Sequence, residues 1–148
     1  LAVASWSGFK EVLTGENWNK LNGILNDPDI FIDLLNQSEC ILCTNIEGEI
    51  IGMAFLVPRG NPTHIYDADW SYIRFVSVHP DFGGKGIGKT LTEKCIKSAK
   101  ENNEKIIALH TSEIMGKAIS IYEKLGFRIL RELEPSLGKK YWLYTLEL

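Results

Sequence analysis

The stretch VSVHPDFGGKGIGKTL at positions 76–91 constrains the fold more than any other part of the chain. Apolar alternation typical of a strand passes through Pro80 into Gly83, Gly84, Gly86 and Gly88. The chain then takes up the repeat Ile87, Leu91, Cys95 and Ala99, which predicts a helix over 86–102 with one core-facing stripe. The first amides of such a helix have no partner within it, and they sit at the positive end of its dipole. Glycine has no Cβ, so these amides can come within hydrogen-bonding distance of a phosphate and form an anion nest. Lys85 and Lys89 add local positive charge to a chain that is acidic overall, with 16 Lys and Arg against 19 Asp and Glu. That balance gives no general pull toward nucleic acid or an anionic membrane surface, so an anion site has to be local. The loop is therefore expected to cradle the diphosphate of a cofactor on Gly83, Gly84, Lys85, Gly86, Ile87, Gly88 and Lys89.

Two familiar phosphate loops fit poorly. Residues 83–90 satisfy G-x-x-x-x-G-K-[ST] letter for letter. A P-loop, however, follows the first strand of a largely parallel sheet, and here a hairpin and about half the chain come first. No later apolar strand ends in an Asp suited to Mg²⁺. A dinucleotide fingerprint begun at Gly84 needs a third glycine where Lys89 stands, and the next strand ends in ALHT.

The flanking sequence supplies a mixed α/β sheet with helices packed on it. Residues 16–39 read as two short helices, broken where Asn26-Asp27-Pro28 caps the second. Residues 40–58 read as a hairpin turning at Glu47-Gly48, and 59–70 as a polar loop. SYIRFVSV (71–78) alternates Tyr72, Arg74, Val76 and Val78 with Ile73, Phe75 and Ser77. A buried strand follows at 105–111. A helix is expected over 114–127, with stripe Ile114, Ala118, Ile121 and Leu125 and with Gly126 just past its end. Two strands, 127–133 and 141–148, close the chain. At 148 residues this is expected to be one domain. No apolar run approaches the roughly 20 residues that cross a bilayer. The opening LAVASWSGFKE has no basic segment leading into a long apolar stretch, so no secretory signal is expected. Cys40 and Cys43 lie on opposite faces of one strand. With Cys95 they make an odd count without a disulfide framework, which suits a reducing cytoplasm.

VSVHPDFGGKGIGKTL, followed about 30 residues later by AISIYEKLGF, resembles the GNAT superfamily of acetyl-CoA-dependent N-acetyltransferases. That family's pattern is a strand V-x-V-x-P, a loop [QR]-x-x-G-x-[GA] and a helix A-x-x-x-Y-E-K-x-G-F. Val76 to Pro80, Gly86 and Gly88, and Ala118, Tyr122, Glu123, Lys124, Gly126 and Phe127 match it. The resemblance implies a central, mostly antiparallel sheet flanked by helices, acetyl-CoA as co-substrate and no metal. It also implies a cofactor arm along Val76 and Val78, with Tyr122 beside the cofactor's sulfur. Three positions depart from the pattern: Gly83 replaces the [QR] side chain, Met115 a frequent Asn, and Tyr72 a frequent catalytic Glu.

The implied reaction is attack of a neutral amine on the thioester carbonyl. It needs a base for the amine, a donor for the carbonyl and an acid for the departing thiolate. By match, the Val78 amide is the carbonyl donor and Tyr122 the acid. His110, ending the strand IIALH, is the expected base, with Glu113 or a water molecule as alternatives. Asp67, Asp69, Glu113, Trp70 and Tyr72 are candidates to line an acceptor pocket. A small-molecule amine is the expected acceptor. A protein amine, or a non-catalytic acyl-CoA sensor, stays open as an alternative. A homodimer is expected through YWLYTLEL, which would otherwise leave an apolar edge.

Overall fold

A computed structural model describes residues 1–148. The helices are α1 (Ala2–Trp6), α2 (Gly15–Leu25), α3 (Pro28–Gln37), α4 (Ile87–Glu101) and α5 (Gly116–Lys124). The strands are β1 (Glu39–Thr44), β2 (Ile50–Val57), β3 (Ser71–Val78), β4 (Ile106–Ser112), β5 (Arg128–Ser136) and β6 (Lys139–Glu147). They form one sheet in the order β1-β2-β3-β4-β6-β5. Every neighbouring pair is antiparallel except β3 and β4. No helix is long and apolar enough to cross a membrane.

Local sequence sets the element ends. The Thr14 side chain accepts the Asn17 N–H to start α2, and Asp27 accepts the Asp29 N–H, with Pro28 in the first turn, to start α3. The Asn45 side chain accepts the N–H groups of Glu47 and Glu49 in the β1–β2 turn. Helix α5 ends in a Schellman motif. The Phe127 N–H donates to the Tyr122 carbonyl and the Gly126 N–H to that of Glu123, with Gly126 at φ 104°. This locks the KLGF corner and drops Phe127 into the core, fully buried.

Two apolar layers result. Leu91, Cys95 and Ala99 of α4 and Tyr122 of α5 meet Ala54, Ile73, Ile107 and Leu109 on one face of the sheet. On the other face Leu34 of α3 and Tyr66 of the 58–70 loop cover Phe55, Val57, Tyr72, Ala108 and Leu143. Cys43 packs against the first layer and Cys40 against the second, as their spacing requires.

Three expectations change. The helix expected over 114–127 is α5, which begins at Gly116 with Met115 as its N-cap, so Ile114 precedes it. The alternation in β3 breaks at Phe75. Met53 pairs with Ser77 but Phe55 with Arg74, so Phe75 and Val76 together oppose Ala54 in a β-bulge. Phe75 takes φ 50° there and turns to the second layer beside Arg74 and Tyr72. Finally, β6 is bonded on both sides, by β4 and β5, and leaves no open apolar edge. The edge strand on that side is β5, which carries Arg128, Arg131, Glu132 and Glu134.

Candidate active site

Strands β3 and β4 pair at only two positions, Ser71 with Ile107 and Tyr72 with Ala108. Beyond these, β4 stays with β6 along its full length while the bulge turns β3 toward β2. The sheet therefore parts between β3 and β4. A left-handed non-glycine residue costs about 1–3 kcal/mol and needs surroundings that hold it. Phe75 is held by Phe31, with ring centroids 4.9 Å apart, and by the edge of Trp6 at 6.0 Å.

Past the parting, β3 leads through a turn at Pro80–Phe82 into α4. The His79 side chain accepts the Asp81 N–H and stays in that turn. Gly84 and Gly86 both have positive φ, 75° and 79°, a conformation that glycine adopts at no steric cost. None of the N–H groups of residues 84–89 donates within the chain, and the first carbonyl of the helix accepts from Thr90. Lys85 lies over the Phe82 ring at 5.3 Å and Lys89 pairs with Glu93 at 4.0 Å. Of the expected cradle, Gly83 is tied into the turn, its N–H donating to the Pro80 carbonyl at 3.2 Å, while residues 84–89 present a run of unpaired amides at the mouth of the parting, a fit for a diphosphate.

Val76 and Val78 pack against the first layer. The Val78 N–H donates to the Ser5 hydroxyl of α1 at 3.1 Å. Ser5 thus occupies the amide expected to serve a bound carbonyl and would compete with it. Replacing Ser5 by alanine removes the competitor, and a neutral hydrogen bond is worth about 1 kcal/mol net. Acetyl-CoA is therefore expected to bind Ser5→Ala about three- to five-fold tighter, measured by calorimetry.

Tyr122 is 8 % exposed and its hydroxyl has no hydrogen-bond partner in the chain. Burial, with a smaller contribution from Cys95, pushes its pKa well up, so it holds its proton at neutral pH. Tyr66 lies on the opposite face, yet Tyr122 is close enough to help raise its pKa.

His110 does not end its strand as expected but lies within β4, two residues before Ser112, on the second face, with Nδ1 2.5 Å from the Tyr66 hydroxyl. Tyr66 is 1 % exposed and its ring stacks on Tyr72 at 4.0 Å and 6°. Burial first, then the positive charge of Arg74 and then His64, lower the pKa of His110 from 6.5 to about 4. The imidazole is therefore neutral at pH 7. Its folded pKa lies below its unfolded one, so the unfolded chain gains a proton at higher pH than the folded chain does. Stability should fall as pH drops through the window from about 6.5 to about 4, by on the order of 1–3 kcal/mol. Urea midpoints at pH 7 and pH 4.5 should show this, with a smaller drop for His110→Asn.

The other expected pocket residues are elsewhere or occupied. Glu113 Oε2 accepts the Lys140 N–H at 3.1 Å, which extends the β4–β6 ladder. Tyr72 is sandwiched against Tyr66 and donates to the Asn61 carbonyl, so it offers no free face to a cation. Asp69 and Trp70 line a hollow with Arg59 and Lys105 at the far end of β3. In their place the structure brings in Ser5, Tyr66 and Arg74, which the sequence did not single out. An arginine alternating with apolar residues in SYIRFVSV was the available signal for Arg74; Ser5, 73 residues from Val78, had none.

The geometry agrees with what comparison with known proteins finds. The acetyltransferase (GNAT) family profile matches residues 6–127. The probable N-acetyltransferase camello of Xenopus tropicalis is 25% identical over 114 residues, 76% of this chain and 50% of the relative. N-acetylaspartate synthetase of Danio rerio is 30% identical over 95 residues, 64% of this chain and 32% of the relative. The chain thus spans half or less of the length of these curated relatives. Among solved structures, a GNAT family acetyltransferase from Elizabethkingia anophelis with acetyl-CoA bound superposes with a TM-score of 0.64 at 24% identity, covering 82% of this chain and 84% of that one. On its sequence profile, and with a fold to match, this chain belongs to the acetyltransferase (GNAT) family.

Proposed function

We propose that residues 1–148 form one N-acetyltransferase domain that moves the acetyl group of acetyl-CoA to a primary amine of a small molecule by direct attack in a ternary complex. The observation that carries this reading is the parting of β3 from β4, opening toward a helix whose first amides are all unpaired. The relative named for N-acetylaspartate, an acetylated amino acid, supports a small-molecule acceptor.

When bound, acetyl-CoA supplies an activated acyl group. Val76 and Val78 hold its arm, and the amides of residues 84–89 hold its diphosphate. The Val78 N–H polarises the carbonyl as an oxyanion-type donor. His110, neutral at pH 7, takes the amine proton directly or through water. Tyr122 gives a proton to the departing sulfur. The burial that raises the tyrosine pKa also raises that of a thiol beside it, so the shared environment does not penalise the transfer. In balance, one N–C bond forms, one C–S bond breaks, and the proton lost by nitrogen is made good at sulfur.

Calorimetric titration with acetyl-CoA, CoA and ATP–Mg²⁺ as separate ligands tests this. Micromolar binding of both CoA species with no response to ATP is the expected result. ATP binding without CoA binding overturns the reading and restores the P-loop match.

A further inference from the structure

Arg74 lacks a counter-charge at the one place where the fold opens. It stands two residues beyond the last β3–β4 pair, and His110 stands two residues beyond the same pair on the other strand. The two are therefore facing neighbours across the start of the parting. Arg74 pairs in register with Phe55, whose side chain belongs to the second layer, so Arg74 and His110 share that face. Every ion pair in the chain involves other residues. The Arg74 side chain is partly buried, its guanidinium makes no hydrogen bond within the chain, and its close contact is the Phe75 ring at 5.0 Å. Its nitrogens keep contact with solvent, so five donors stand open to an anion that would make charge-assisted hydrogen bonds with them.

The surroundings point the same way. Tyr66, Tyr72 and His110 all sense the charge of Arg74, His64 also acts on His110, and no Asp or Glu acts on any of the three. A dicationic acceptor would meet the uncompensated charge of Arg74 here. A single neutral amine would gain nothing from Arg74. An acceptor with its own anion would complete the arginine. Along β3, Val78 lies four residues past Arg74 with one residue absorbed by the bulge. That is roughly 10 Å of strand, much of which an extended arginine spans.

We propose that the acceptor is an amine bearing a carboxylate, sulfonate or phosphate within a few bonds of its nitrogen, and that Arg74 binds this anion and selects the substrate. The inference rests on the acetyl-transfer reading above. It also assigns Arg74 a second effect: a guanidinium beside the acceptor disfavours the ammonium form, which cannot attack.

The test compares matched amines with the intact chain: L-alanine against L-alaninamide, and taurine and O-phosphoethanolamine against ethanolamine. The alanine and the two-carbon arms separate carboxylate from sulfonate and phosphate. A peptide with a free N-terminus and an amidated C-terminus is the protein-like control. Charge-assisted hydrogen bonds favour the anionic partner by at least about ten-fold in kcat/KM. In Arg74→Met that preference should collapse, mainly through KM for the acceptor, and Arg74→Lys should restore part of it. Acetyl-CoA affinity, titrated on the same variants, should move by no more than a few-fold. Preference for the neutral amines or the peptide, with acetyl-CoA binding intact, overturns this proposal and leaves the transfer reading standing. An unchanged ratio in Arg74→Met overturns it equally. Loss of acetyl-CoA binding in the unaltered protein overturns both.

Discussion

Replacing Tyr122 by phenylalanine is expected to lower kcat by about 10²- to 10³-fold, the usual worth of a positioned proton donor, while acetyl-CoA affinity stays within a few-fold. The hydroxyl has no partner inside the chain, so its removal orphans no other group. The ring keeps its edge contact with Phe127 at 6.0 Å, and the Schellman corner uses only the Tyr122 backbone carbonyl. Stability should therefore change by less than about 1 kcal/mol. Steady-state kinetics on thiol release, paired with calorimetry, separate the two effects. An unchanged kcat would remove Tyr122 as the acid and leave the thiolate to a water molecule. Equal losses in kcat and affinity would recast it as a wall of the cofactor site.

Gly86→Val is the second large effect, and here binding rather than turnover should fail. Gly86 is the N-cap of α4 at φ 79°, and a Cβ there would meet nothing within 4 Å. Space is therefore not the obstacle; backbone conformation is. A β-branched residue resists the left-handed region by at least about 1–2 kcal/mol. The loop would relax to negative φ and rotate the amides at the head of α4 out of alignment. Losing two charge-assisted contacts to a diphosphate should weaken CoA binding about 100-fold or more. The Leu91, Cys95 and Ala99 packing that holds α4 on the sheet is untouched, so the protein should stay folded by circular dichroism. Gly86→Asn is the contrast, because asparagine tolerates this region and should keep much of the affinity. Equal weakening by both variants would mean that side-chain bulk, and not φ, matters at this position.

Much of the fold was legible because local rules and tertiary packing agree. The strand at 71–78, the hairpin at Gly48, the α4 stripe and the Gly126 cap each follow from residues within a few positions of one another. The glycine-rich entry to α4 was legible for the same reason, since glycines, helix start and lysines are contiguous. What escaped depends on residues far apart. Phe75 takes positive φ only because Trp6 and Phe31 meet it, and this bulge reassigns every side chain after it to the other face. Tyr66 sits in a stretch that reads as a polar loop, but its hydroxyl finds His110 from 44 positions away. Of Asp67, Asp69 and Glu113, expected as an acidic acceptor lining, Asp69 lies beside Arg59 and Lys105 at the far end of β3 and Glu113 accepts the Lys140 N–H, placements that charge composition does not disclose. Arg74 was visible as an unexplained charge in an apolar alternation, but only the register across the parting gives it a role.

That parting also has a mechanical side. The three strands β1, β2 and β3 form one plate and β4, β6 and β5 another, and two residue pairs at one end are the whole backbone seam between them. Such a sheet behaves as two leaves on a hinge at Tyr72 and Ala108. A ligand lying in the open end, hydrogen-bonded to both leaves, would finish the stitching that the chain leaves undone. Ligand binding of that kind raises the stability of the folded state by mass action. It would do so unevenly, slowing amide exchange along the free edges of β3 and β4 far more than at the outer strands, where the backbone already has its partners.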